Sequence, residues 1–337
     1  MRNDTRAKFT AYLATVAALN GIPDATAKFA VAPTIEQVLE NKIRESAAFL
    51  QRVNVYPVAQ QSGEKLGLGI TSPIAGRTNT NAADRPTRSI WGMDGRSYFC
   101  HQTNFDTHIR YSTLDAWAKF PDFQTRVRNQ TVEQIARDRL MIGWNGTSVA
   151  AQTDLQANPL LQDVNIGWLE QIRLHAPDRR MDAMKVGTEA GSDYQNLDAM
   201  VTDMVNELMD EWHTEATDLV VIMGRGLLNE KMMALINGAE AKATEHQALQ
   251  TLMLNRTVGG KRAISVPYFP ARSVLITSES NLSIYWQEGT RRRTLTDNPK
   301  RDRIEDYNSI NECYVVEDYG KVAFAENVQL HDGTEWA

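Results

Sequence analysis

Gly224 and Gly226 follow the apolar run DLVVIM and precede a helix-forming stretch, the order that a phosphate-cradling turn requires. A dinucleotide fingerprint also needs a glycine at position 229, where Asn229 stands, so a packing turn is the stronger reading. The histidines (His101, His108, His175, His213, His246 and His331) are scattered. None has HExxH spacing or accompanies a cysteine pair, which argues against a metal centre. No GxSxG elbow offers a nucleophile. Glu305-Asp306 and Glu317-Asp318 have the composition of acid/base dyads. In a chain with 42 carboxylates such pairs read better as solvated faces or ion-pair partners. Arg291-Arg292-Arg293 and Lys300-Arg301-Asp302-Arg303 form a basic cluster interleaved with Asp297, Glu305 and Asp306. Mixed signs favour a salt-bridged contact surface over a nucleic-acid patch. These residues name no catalytic, cofactor-binding or metal-binding constellation, and the chain reads as a non-enzyme.

The composition agrees with a protein built around packing. At 337 residues the chain can bury a sizeable core and suits two domains. Hydrophobic content of 42% and charge of 23% are those of an ordinary globular protein. No apolar run approaches a membrane span, and Arg2, Asp4, Arg6 and Lys8 precede a mixed helix instead of a signal-peptide core. A net charge of −6 speaks against DNA binding through a basic surface of the whole chain. Cys100 and Cys313 are distant in sequence and lack a CxxC context, so a reduced cytosolic protein is the simplest reading.

The longest element is chemically quiet. Over 122–146, Val127, Ile135 and Ile142 share an apolar arc, while Arg126, Glu133 and Arg137 line the opposite edge. Glu133 and Arg137 have the favourable order for a surface pair, and Asn145-Gly146 predicts a left-handed stop. Such a helix spans roughly 30–35 Å. An N-terminal helix over 5–20 carries Phe9, Tyr12, Leu13, Val16 and Leu19 on one face and ends at Asn20-Gly21. It precedes a small-residue stretch and has the makings of a detachable piece. A second helix opens at Thr34, with Gln37 completing a capping box and Ile35, Val38, Leu39, Ala47 and Leu50 facing inward.

Residues 57–112 read as a long hairpin. GEKLGLGITSPIAG is extended, RSYFCHQTNFDTHIRY alternates as a strand does, and TNTNAADRPTRSIWGMDG between them is full of turn formers. Strands reaching roughly 40–50 Å outrun a subunit of this size, and a lone hairpin is barely stable in water, so it should lie against another chain; the alternative is two or three short strands in an ordinary sheet. Ile90 and Trp91 near the tip are the expected anchors. Beyond the long helix, a short helix ends at Pro177, and DYQNLDAMVTDMVNELMDEW is amphipathic. From Lys261 the chain is rich in strands. The fold class is α+β, with helices and strands mixed.

The order and spacing of several blocks carry a family resemblance. They are NFD and IRY within 104–111, TLDAWA at 113–118, DFQTRVRN at 122–129 and NPLLQDV at 158–164. Further along come DLVVIMGR at 218–225, VPYFPA at 266–271, NLSIY at 281–285 and DRIEDYNSINECYVVEDY at 302–319. The chain resembles the major capsid proteins of P2-like tailed bacteriophages, which have the HK97-type capsid fold. The resemblance implies a precursor segment over 1–29, cleaved by a prohead protease close to Phe29 and Ala30 within the window Asp24 to Pro33, and an N-terminal arm over 30–56. It implies an E-loop over 57–112, a peripheral domain over 113–195 and 281–320 with the long helix as its spine, and an axial domain over 196–280 and 321–330. It further implies a homo-oligomer of hexamers and pentamers forming an icosahedral virion shell in the host cytoplasm. Scaffold and portal proteins would be partners, and the shell would enclose double-stranded DNA. No cofactor or membrane is implied. Arg291, Arg292, Arg293, Arg301, Arg303, Glu305 and Asp306 are then expected at subunit contacts, and Arg126 and Arg137 at weak inner-face DNA contacts. An encapsulin-like shell without a genome and an α+β hydrolase are the alternative readings.

Overall fold

The computed structural model describes residues 1–65, 97–117, 123–238 and 256–331, Trp336, and isolated positions between 69 and 92. Helix α1 (Asn3–Asn20) ends as the Asn-Gly pair predicts. Gly21 has φ of +64°, and the amides of Gly21 and Ile22 donate to the carbonyls of Ala18 and Ala17. The helix is docked on its own subunit. Val16 and Ala17 pack with Ala25, Phe29, Val31 and Leu295, whereas Leu19, expected on the same face, is 58% exposed. Strand β1 (Phe29–Ala30) follows.

Helix α2 (Pro33–Ser46) departs from expectation. Pro33 occupies its first turn, and the Ala32 cap makes no side-chain bond, so the Thr34–Gln37 capping box does not form. A proline already supplies the helical φ and has no amide to satisfy. The inward face is Glu36, Glu40 and Ile43, while Val38 is 52% exposed. Of the expected aliphatic face, Leu50 is buried and Ile35, Leu39 and Ala47 pack partly buried, and two carboxylates point into the protein beside them.

β2 (Asn54–Val58) leads to β3 (Ser62–Glu64) and β4 (Gly69–Ile70). The chain returns through β5 (Trp91–Gly92) and β6 (Ser97–Phe99), then β7 (His101–Asn104) and β8 (Thr107–Arg110), into α3 (Tyr111–Trp117). β3 pairs only with β6, and β4 only with β5, among the described residues, so the hairpin leaves the main sheet as a two-stranded ribbon. Its return limb rejoins the body earlier than the sequence suggests, because β7 and β8 both pair with β17 (Arg303–Val316).

Helix α4 (Phe123–Asn145) changes character along its length. Its N-terminal half is largely exposed, whereas Val132, Ile135, Ala136, Leu140, Ile142 and Trp144 are buried. The stop is not left-handed: neither Asn145 nor Gly146 has positive φ. Glycine is needed at 146 for close approach instead, since a Cβ there would lie 2.2 Å from the Asn165 carbonyl oxygen. Helix α5 (Trp168–His175) packs below it, and the Trp168 ring closes against Trp144 at 4.9 Å between centroids.

The remaining elements run in order through β9 (Arg180–Asp182), β10 (Lys185–Val186), α6 (Leu197–Leu208), α7 (Glu211–Thr214), β11 (Leu219–Met223) and α8 (Arg225–Gly238). Next come β12 (Thr257–Val258), β13 (Lys261–Ile264), β14 (Val274–Ser278), β15 (Leu282–Gln287) and β16 (Arg292–Asn298). β17, β18 (Ala323–Glu326) and β19 (Gln329–Leu330) complete the chain. Two sheets organise the fold. A seven-stranded sheet runs β1-β16-β17-β15-β2, with β7 and β8 also on β17, and a six-stranded sheet runs β12-β13-β11-β14-β18-β9. β11 shows how they share a core. Val220 and Ile222 face α4, α5 and the first sheet, while Leu219, Val221 and Met223 face α6, as the two-residue strand period requires. β9 and β10, assigned by sequence to the peripheral part, pair with β18 and β19.

Candidate functional site: contact elements and a buried charge network

The residues singled out for chemistry are used structurally. Gly224 is a packing turn, because a Cβ there would lie 2.0 Å from the Ala271 carbonyl oxygen. Asp318 accepts from the amide of Gly320 at 2.7 Å and lies 2.9 Å from the His213 ring nitrogen. Glu317 accepts from the Tyr285 hydroxyl at 2.8 Å. Among the described residues, no group of three or more His, Cys, Asp or Glu side chains could hold a metal ion. A cleft between α2, β2 and β15 encloses about 50 Å³, far below the few hundred Å³ of a typical small-molecule site.

The basic cluster divides by position along its strand. Arg291 is fully buried and pairs with Glu40 of its own chain, also donating to Asn308 Oδ1 at 3.2 Å. This corrects the expectation that Arg291 meets a neighbouring subunit, since its charge is neutralised inside the fold. Arg293 donates to Asp306 from Nε at 2.9 Å and from Nη2 at 2.6 Å. Arg303 donates to Glu305 at 2.6 Å, and Tyr307 and Asn298 also donate to that carboxylate. The Tyr307 hydroxyl and then Arg303 hold the Glu305 carboxyl below its ordinary range. Arg293 with Asp306, and Arg303 with Glu305, thus form ion pairs within the subunit. Arg292 and Arg301 are exposed, with no ion-pair partner among the described residues.

Arg291 belongs to a larger network that sequence reading missed. Arg139 of α4 is bidentate to Glu40 of α2, at 2.7 and 3.2 Å, and its Nε donates to Glu312 of β17 at 2.9 Å. All four charged side chains are buried, and two arginines balance two glutamates. Burial pushes the Glu40 carboxyl up, but Arg139 and Arg291 outweigh it and leave the group below its ordinary value. Nearby Glu36 is also buried and is raised by desolvation; only one of its oxygens has a partner, the Gly289 amide at 3.1 Å. The network clamps α2 and α4 to the central strand β17. A sequence signal existed in the i, i+4 spacing of Glu36 and Glu40, but the same spacing describes a solvated face.

Phe29 is buried and Ala30 exposed, and β1 pairs antiparallel with the edge of β16, Phe29 opposite Arg293. Arg6 reaches Asp297 at 3.1 Å, and Arg293 donates to the Tyr12 hydroxyl at 3.1 Å, fastening α1 beside that edge. Arg126 and Arg137 lie on the exposed side of α4, with Arg137 3.7 Å from Glu133. Ile90 lies outside the described residues; of Trp91 the backbone is described, paired with Ile70.

A two-stranded ribbon, an N-terminal helix docked on a sheet edge and a long helix clamped to β17 are the features that stand out among the described residues. Residues 8–328 match the family described as phage major capsid protein, P2 family. The capsid protein of Escherichia phage P2 is 42% identical, over 98% of this chain and 96% of its own. The major capsid protein of Serratia phage KSP20 is 40% identical over 97% of both. Among solved structures, a chain of the satellite phage P4 procapsid that includes the size determination (Sid) protein superposes with a TM-score of 0.82. It is 40% identical and covers 98% of this chain and 99% of that one. The chain belongs to the P2 family of phage major capsid proteins and has the HK97-type capsid fold.

Proposed function

We propose that this capsid subunit joins its copies mainly through the two-stranded ribbon, which acts as an E-loop laid across a neighbour. The observation that carries this is the isolation of β3–β6 and β4–β5 from both main sheets among the described residues. A two-stranded ribbon gains little stability alone and needs a surface to cover one face. Ile90 and Trp91 are its docking anchors in this reading. The six-stranded sheet with α6 forms the axial part, which meets its copies at hexamer and pentamer centres. The seven-stranded sheet with α4 forms the peripheral part. Family membership favours this reading over an encapsulin-like shell or a hydrolase, and the subunit's work is assembly and not catalysis.

α1 and the segment up to Phe29 form a precursor piece that a prohead protease removes before Ala30. β1 is already extended and at a sheet edge, but it must peel from β16 before a protease can grip it. Scaffold and portal proteins act as assembly partners in the host cytoplasm, and packaged double-stranded DNA meets Arg126 and Arg137 only weakly. Arg292 and Arg301 are the cations available for neighbouring subunits. The test replaces residues 79–95 by a short Gly-Ser turn. The variant should fold with wild-type circular dichroism and fail to form closed shells by electron microscopy. Normal shells would refute the clasp, and an unfolded variant would place the ribbon in the subunit core.

A further inference from the structure

Cys100 and Cys313 are separated by 213 positions, yet their sulfurs lie 3.4 Å apart in the interior. The strand register brings them together. β7 runs antiparallel to β17 with His101 opposite Glu312, and one further step sets Cys100 opposite Cys313. Opposed residues of antiparallel strands have Cα atoms about 4.5–5.5 Å apart, within the roughly 4.4–6.8 Å that a disulfide bridges. Val58, Tyr285 and Val315 enclose the pair, and Tyr98 of the ribbon packs against it.

The location gives the pair its consequence. Cys100 immediately follows β6, and its amide donates to the carbonyl of Gln61, just before β3, at 2.8 Å. It therefore sits at the ribbon's root, whereas Cys313 sits in the central strand of the seven-stranded sheet. A covalent link between them would fix the ribbon's base to the body.

We propose that Cys100 and Cys313 are a modification site, a staple that a disulfide-class oxidant closes to pin the ribbon's root to β17. In the first step one cysteine thiolate attacks the oxidant's disulfide, forming a mixed disulfide and releasing one oxidant thiol. The second cysteine, giving up its proton, attacks the cysteine sulfur of that mixed disulfide and releases the other oxidant thiol. Two cysteine S–H bonds are lost, one S–S bond forms, and the oxidant is reduced to two thiols. The contact with Cys100, burial and Glu312 hold the Cys313 thiol well above its ordinary range, so little thiolate is present at neutral pH. The staple therefore stays open under reducing conditions and closes when the root breathes in an oxidising medium. This inference concerns the subunit itself and holds whatever surface the ribbon docks on.

The test treats the purified full-length chain with glutathione disulfide or with reduced glutathione, then blocks free thiols with N-ethylmaleimide in denaturant. Hydrogen exchange is read on each native sample before the block, and intact mass and a non-reduced peptide map after it. The expected result is loss of both free thiols without adduct mass, a Cys100–Cys313 cross-linked peptide, reversal by dithiothreitol, and slower exchange over 97–104. Cys100→Ser and Cys313→Ala should each abolish the cross-link and the exchange change; circular dichroism identifies which variant retains the fold and serves as control. Oxidation that stops at a glutathione adduct, links two chains or leaves both thiols free would overturn the proposal. A cross-link with unchanged exchange over 97–104 would overturn the pinning.

Discussion

Replacing Arg139 by methionine removes one cation from the buried network while nearly preserving side-chain volume. In the native fold Arg139 bonds to Glu40 at 2.7 and 3.2 Å and to Glu312 at 2.9 Å, and all three residues are buried. Without it Glu40 keeps Arg291, but Glu312 has no cation among the described residues. Breaking a buried pair from one side costs roughly 3–5 kcal/mol, since an uncompensated charge stays behind. With a urea dependence of about 2–3 kcal/mol per molar, the midpoint should fall by about 1–2.5 M. Trp144 and Trp168, packed edge to face in the adjoining core, report the transition by fluorescence. Arg137→Ala on the same helix is the internal standard. Its pair with Glu133 is 3.7 Å long and more than half exposed, so it should cost about 0–1 kcal/mol. The pH response carries a sign. Glu40 is held below its ordinary value of 4.5, so its contribution is present above that pH and fades as pH falls through the depressed value. The gap between wild type and Arg139→Met should be widest near neutrality and narrow under acid. Equal costs for the two substitutions at neutral pH would refute the account of the network as a clamp.

Three further outcomes are expected. Glu36→Gln should be neutral or stabilising near pH 7, because burial raises this carboxyl; a raised acid contributes stability below its ordinary pKa and loses it as pH rises through the folded value. Urea titrations at several pH values read this, and a loss of stability at neutral pH would mean that the Glu36 charge is needed. Arg292→Glu and Arg301→Glu should leave the subunit's denaturation midpoint within about 0.5 kcal/mol of wild type yet lower the yield of closed particles, as counted by electron microscopy; Arg291→Glu should instead destabilise the subunit. Intact-mass analysis of mature particles should find chains beginning at Ala30, and full-length chains throughout would exclude processing at Phe29.

Much of the architecture was legible because periodicity and turn chemistry are local. Asn20-Gly21 ends α1 as expected, and the spacing of Val127, Ile135 and Ile142 marks the long helix. The hairpin pairing was readable because two extended stretches flank one dense in turn formers, and β3 pairs with β6 and β4 with β5 as that order requires. What escaped depended on partners far away in sequence. Glu40 looks solvated until Arg139 and Arg291 are brought to it. Cys100 and Cys313 look unrelated until the register of β7 on β17 opposes them. Arg291 and Arg292 look equivalent in a run of three, but one side chain is buried and the next exposed, so burial separates identical neighbours. Gly146 was assigned a conformational role, whereas its space is dictated by Asn165, which no local rule supplies.

The proposed clasp is a ribbon that spans subunits and holds the shell together. An electron cryo-microscopy map of shells assembled from this chain tests it most directly. The account predicts continuous density for residues 62–99 lying across the adjacent subunit, with Trp91 seated in that neighbour. Density in which the ribbon folds back on its own seven-stranded sheet, with Trp91 inside its own subunit, would contradict it.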